Sequence, residues 1–138
     1  MYSQAKNGQK TFIWSPPFYY FGYKFKLELC PSGKDLGKDT HLSLFFHLMK
    51  GEYDARLSWP FQGKLKFTLI DLQEDAEHSQ NINAFVPAFP QDSRIVERPL
   101  TDVNVGWGLP KFVSLTKLTE RRYFVYDKIV IQVQVAPD

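Results

Sequence analysis

The chain has 138 residues, 43% hydrophobic and 16% aromatic, with a net charge of +2 from 17 Lys and Arg against 15 Asp and Glu. That length suits one domain with a packed core, and so small and scattered a charge gives no ground for nucleic acid or a membrane surface as partner. One cysteine, Cys30, excludes an intramolecular disulfide, no 18-residue apolar run marks a membrane span, and the polar opening MYSQAKNGQK does not read as a signal peptide; a reducing, cytoplasmic compartment is expected.

In chain order, a short strand is expected over Thr11 to Trp14, followed by a turn at SPP (15–17). YKFKLELC (23–30) alternates strictly: Tyr23, Phe25, Leu27 and Leu29 share one face, and Lys24, Lys26, Glu28 and Cys30 the other. Such a period of two marks a half-buried strand. After a turn at PSGKD (31–35), HLSLFFHLM (41–49) places Leu42, Leu44, Phe46 and Leu48 inward and His41, Ser43, Phe45 and His47 outward. KGEYD (50–54) turns the chain into KLKFTLID (64–71), with Leu65, Phe67 and Leu69 inward. QEDAEHSQN (73–81) reads as a long exposed loop, Asn83 to Val86 as a short strand, PQDS (90–93) as a turn and Trp107 to Ser114 as a strand. LTKLTERR (115–122) makes at most one helical turn, and KIVIQVQV (128–135) closes with Ile129, Ile131, Val133 and Val135 inward. About seven strands at this spacing, with no long helical period, argue for an all-β antiparallel sandwich.

The residues offer little catalytic chemistry. His41 and His47 lie roughly 20 Å apart along a strand, too far to share a metal, and no third ligand sits at useful spacing. No cofactor is expected. No nucleophile elbow or phosphate-binding glycine motif is present. Cys30 is placed outward beside Lys24 and Lys26, an environment that can lower a thiol pKa, but it has no histidine partner and reads as a bystander thiol. An enzyme is therefore not expected. What stands out is an outward Phe45 and a Trp107 flanked by Gly106 and Gly108, which together suggest a recognition surface; packing of Phe45 under a neighbouring loop is the plain alternative.

GKDTHLSLFFHLMKGEYDARLSWPF (37–61), with SPPFY (15–19), GYK (22–24), RPL (98–100) and YDKIVIQVQV (126–135), resembles the TRAF-C domain of the tumour-necrosis-factor-receptor-associated factors, within the wider meprin-and-TRAF-homology (MATH) class. The resemblance spans residues 4 to 136 and mixes features of the interleukin/Toll-pathway type with those of the fourth family member. It implies an eight-stranded antiparallel sandwich over residues 1–138, lacking the family's first, tryptophan-containing strand and its coiled coil. The function it implies is a signalling adaptor that binds extended peptides by adding them to an edge strand. Expected partners are cytoplasmic tails of TNF-receptor or interleukin-1/Toll-type receptors or their adaptors. The full-length protein is expected to self-associate as a trimer, with membrane contact only through receptors and any RING ubiquitin ligase outside this chain. The alternative is a MATH-type substrate adaptor of a ubiquitin ligase or deubiquitinase.

Carried over residue by residue, the resemblance assigns Phe45, Phe85, Gly106, Trp107, Gly108 and Leu109 to the peptide groove. Trp107 is expected to wall an apolar pocket, and the two glycines to let guest backbone approach. The family's groove arginine is Glu28 here, its nearby tyrosine Cys30, its acidic loop residue Lys34, and its serine cluster is reduced to Ser93. A carboxylate at position 28 implies preference for a basic or neutral guest residue; pairing of Glu28 with Lys24 or Lys26 is the plain alternative.

Overall fold

A computed structural model describes residues 12–125 and 128–136. Its strands are β1 (Ile13–Trp14), β2 (Phe18–Tyr20), β3 (Tyr23–Cys30), β4 (His41–Met49), β5 (Lys64–Leu69), β6 (Ile82–Phe85), β7 (Trp107–Ser114) and β8 (Ile131–Ala136). Two single-turn helices, α1 (Ser93–Val96) and α2 (Leu115–Leu118), flank β7. All pairings between strands are antiparallel. One sheet runs β1–β3–β4–β7 with β2 also on β3; the other runs β6–β5–β8. The expected sandwich is the observed one.

The alternating sequences build the core as expected. Phe25, Leu27 and Leu29 of β3, Leu42, Leu44, Phe46 and Leu48 of β4, and Leu65, Phe67 and Leu69 of β5 are buried in one cluster. Its densest part is aromatic: Phe25 and Phe46 rings lie 4.3 Å apart, Phe46 and Phe61 5.9 Å, and Phe61 and Phe89 5.4 Å. Such pairs contribute about 0.5–1.5 kcal/mol each beyond the area they bury.

Several boundaries differ from expectation, each for a local reason. The sequence pattern does not show β2, because FYY is too short to alternate. It exists because Phe21 and Gly22 (φ 51° and 88°) make a two-residue turn that folds Tyr20 back onto Tyr23, and positive φ at both positions suits the twist of a hairpin. α1 begins inside the expected PQDS turn: the Asp92 side chain accepts from the Arg94 amide at 2.9 Å and caps a helical turn. β8 starts at Ile131, because Val125 and Lys128 exchange two backbone hydrogen bonds just before it. Of the expected first strand, Thr11 lies outside the described residues, as do Tyr126 and Asp127 of the closing motif.

β7 is an edge strand: among the described residues no strand pairs with its outer side. Its ladder with β4 slips between Leu42, opposite Val113, and Leu44, opposite Leu109. The extra residues on β7 begin at Pro110, which has no N–H to give a ladder. Ser43 of β4 compensates, its hydroxyl donating to the Pro110 carbonyl at 2.6 Å while accepting from the Lys34 amide at 2.9 Å.

Candidate functional site

The outer face of the larger sheet, which alternation assigned to solvent, is covered. Register sets Lys26 opposite His47, Glu28 opposite Phe45, and Cys30 opposite Ser43. Trp14 of β1 pairs with Glu28 from the other side, and Gly108 of β7 faces Phe45. Phe45, Ser43, His47, Glu28 and Cys30 are all buried.

Glu28, only 6% exposed, therefore does not stand open to a guest. Its Oε1 lies 2.8 Å from His47 Nε2, and its Oε2 lies 3.3 Å from Lys34 Nζ and 3.7 Å from Cys30 Sγ. Neither Lys24 nor Lys26 is its partner; Lys26 instead sits 3.8 Å above the Trp14 ring. The Trp14 indole meets the His47 imidazole edge-on at 4.8 Å. With both carboxylate oxygens engaged, the expected preference for a basic guest residue opposite Glu28 loses its basis in this arrangement. The His47 hydrogen bond, helped by Lys34 and opposed by burial, holds the Glu28 carboxyl below its usual range.

Cys30 is an unreactive thiol, as read from the sequence, but its surroundings are not the expected ones. Burial, reinforced by the Glu28 charge, pushes its thiol up to about 12, and Lys34 only partly offsets this. Lys24 and Lys26 do not activate it. Cys30 is thus expected to resist a disulfide reagent in the native protein at about pH 8 and to react fully once unfolded, since only the thiolate attacks. Native labelling at the rate of a free thiol would contradict this.

The two glycines serve the chain's own strands. A Cβ on Gly106 would lie 2.4 Å from His47 Nε2, and one on Gly108 2.2 Å from the Leu44 carbonyl oxygen. Gly106 makes room for the imidazole and Gly108 for the β4 backbone, so neither gap is left for a guest. Trp107 and Leu109 stand opposite Phe46 and Leu44, on the inner face, and pack against the core. The Trp107 indole donates to the Pro87 carbonyl at 3.0 Å, tying β7 to the segment after β6. It does not wall a pocket with Phe45, which is on the opposite face.

The ten expected site residues thus fall into separate groups. Glu28, Cys30, Lys34, Phe45, Gly106 and Gly108 surround the outer-face cluster, and Trp107 and Leu109 face inward. Phe85 (72% exposed) and Ser93 line a cleft of ≈ 820 Å³ with Phe61, Phe89 and Pro90. Lys34 is half exposed, and its ammonium lies 5.3 Å over the Phe45 ring. His47, Trp14 and Ser43 join this cluster although the motifs do not point to them. Their signal was parity: His47 shares the outer face with Phe45, as Glu28 does on the neighbouring strand. Among the described residues no cluster of His, Cys, Asp or Glu could hold a metal ion, and no helix is long and apolar enough to cross a membrane.

A two-sheet antiparallel sandwich with an open edge at β7 is a fold of the MATH class, and the chain belongs to the TRAF/meprin MATH-domain family, whose profile matches residues 10–132. It is 43% identical over 118 residues to mouse TNF receptor-associated factor 1, covering 84% of this chain and 28% of that protein. It is 39% identical over 129 residues to human TNF receptor-associated factor 2 (92% and 25%) and 33% identical over 136 residues to zebrafish TNF receptor-associated factor 6 (94% and 24%). The chain therefore spans about a quarter of the length of these relatives. The solved structure of Notothenia coriiceps TRAF5 superposes with a TM-score of 0.84 at 28% identity, covering 99% of this chain and 68% of that one.

Proposed function

We propose that this domain is the ligand-binding part of a signalling adaptor and takes an extended peptide from a receptor or adaptor tail along the outer edge of β7. The observation that carries this reading is the edge itself: β7 pairs with β4 on one side and with no strand on the other among the described residues, near the half-exposed Lys34 that lies over the buried Phe45 ring. An unpaired edge offers main-chain donors and acceptors to an incoming strand. The names of the matched relatives, all receptor-associated factors, point the same way. Nothing in the arrangement calls for catalysis by this chain. A short edge contact buries little area, so affinity for one peptide is weak, and a trimer meeting clustered tails would raise it through avidity.

Amide hydrogen exchange with and without an array-selected receptor-tail peptide tests the reading. Slowed exchange within Trp107–Ser114 is the expected result. Protection confined to the Phe85–Ser93 cleft, with β7 unchanged, would move the site there.

A further inference from the structure

β7 offers a guest only a short length of open edge. At one end the Val105 amide already donates to the Arg94 carbonyl of α1 at 3.0 Å. At the other, past the regular register of Trp107 to Leu109, stands Pro110, which has no N–H to give. An apolar side chain in water waits at that proline end. The 3-10 turn Asp35–Gly37 packs on β7 there, and a Cβ on Gly37 would collide with the Pro110 carbonyl oxygen. The turn lies on the outer side of the sheet: Ser43, an outer-face residue, accepts from the Lys34 amide and donates to that same carbonyl. Leu36, one Cα step of about 3.8 Å from Gly37, is 80% exposed. A lone exposed leucine needs no explanation by itself, but this one is held in place. The Gly37 amide donates to the Lys34 carbonyl at 3.0 Å, Asp39 to Ser32 at 2.7 Å and Thr40 to Gly37 at 3.1 Å. Asp35 and Asp39 (φ 54° and 66°) take the left-handed backbone that residues with a side chain adopt uncommonly. The loop thus keeps an ordered, locally unfavourable backbone and displays Leu36 to solvent instead of burying it. Backbone of this kind collects at places that clamp ligands.

Resting on the edge-strand reading above, we propose that Leu36 determines specificity at this edge: together with Pro110 it receives an apolar side chain, aliphatic or aromatic, from the guest residue that meets the proline. With no N–H at Pro110, side-chain contact carries recognition at that point. Covering Leu36 with a guest leucine removes from water the surface that the free domain leaves exposed. The turn is fixed before the guest arrives, so the contact needs little further ordering. The turn and its flanks carry Lys34 and Lys38 against Asp35 and Asp39, no net charge, so the preference it imposes is for an apolar group and not for an ion.

The test uses the whole chain and a positional-scanning array of capped peptides of about ten residues, longer than the open edge at about 3.3 Å per residue. The wild type is expected to favour Leu, Ile, Met or Phe at one position. Leu36→Ser is expected to lose that preference and no other. It should bind the best wild-type peptide about four- to fifteenfold more weakly, the scale of one or two methylene groups returned to water. Leu36→Met is expected to restore both, and Lys38→Ser, next to the same turn, to change neither. Leu36 is exposed, so thermal melts of these variants should match the wild type, which separates lost recognition from lost folding. Amide exchange with the best peptide shows whether Trp107–Ser114 is the strand it covers. If it is, an unchanged preference in Leu36→Ser, or no apolar preference in the wild type, overturns the role of Leu36 and leaves the edge-strand reading standing. If no peptide on the array slows exchange in β7, that reading falls and the role of Leu36 with it.

Discussion

Asp71→Ala is expected to destabilise the domain by about 3–5 kcal/mol, a large share of what holds a domain of this size folded. Asp71 lies just past β5 and is buried. It accepts from Arg121 Nε at 2.7 Å, the Gln80 amide at 2.9 Å, the Arg122 amide at 3.1 Å and Gln73 Nε2 at 3.2 Å. Arg121 also reaches the His78 carbonyl, and the Tyr123 hydroxyl donates to the Gln80 carbonyl at 2.8 Å. One carboxylate thus fastens the 73–81 loop to the segment after α2. Removing it leaves a partly buried guanidinium and several amides without their acceptor. Burial pushes the Asp71 carboxyl up, but the hydrogen bonds from Arg121, Gln80, Gln73 and Arg122 together outweigh it and hold the group below its usual value. With the folded value depressed, the stabilisation is complete above the ordinary aspartate pKa of about 3.9 and is lost as pH falls through the folded value. Urea melts of the wild type and Asp71→Ala at neutral pH and in acid check both points: the gap should narrow in acid. A gap below about 1 kcal/mol at neutral pH would show the carboxylate to be dispensable.

Phe46→Ala is expected to cost about 3–5 kcal/mol and to lower the melting temperature by roughly 10–17 °C. Phe46 touches Phe25, Phe61 and Phe89 and stands directly opposite Trp107. The cavity would open beneath the part of β7 proposed to receive the guest. Peptide affinity is therefore expected to fall along with stability, although Phe46 faces away from the outer surface. Calorimetry of the variant with and without peptide separates the two effects. Lost stability with unchanged affinity would show that the edge does not depend on the core behind it.

The sequence made the sheets legible because β3, β4 and β5 each bury one face against the opposing sheet, and alternation reports that directly. It separated the two faces of β4 correctly but misjudged the outer one. Ser43, Phe45 and His47 are buried too, since Trp14 and the 31–40 loop cover them. Alternation shows which residues share a face and carries no information about what lies over it. The Glu28–His47 pair joins residues 19 apart through strand register, which no local pattern contains. Glycines 106 and 108 were marked as unusual, yet the atoms they accommodate belong to β4, so their purpose could be read only after β7 was placed. α1, by contrast, announced itself through Asp92 ahead of SRIV and was hidden by reading the same residues as a turn.

The register slip at Pro110 works as a ruler. From Trp107 to Leu109 β7 keeps one register with β4; at Pro110, a residue without an N–H, that register slips, though the strand continues to Ser114. A peptide laid against this edge would have three or so residues, roughly 10 Å, before it reaches the proline. Tails recognised here would share a very short stretch of sequence, and what lies beyond it would be free to differ.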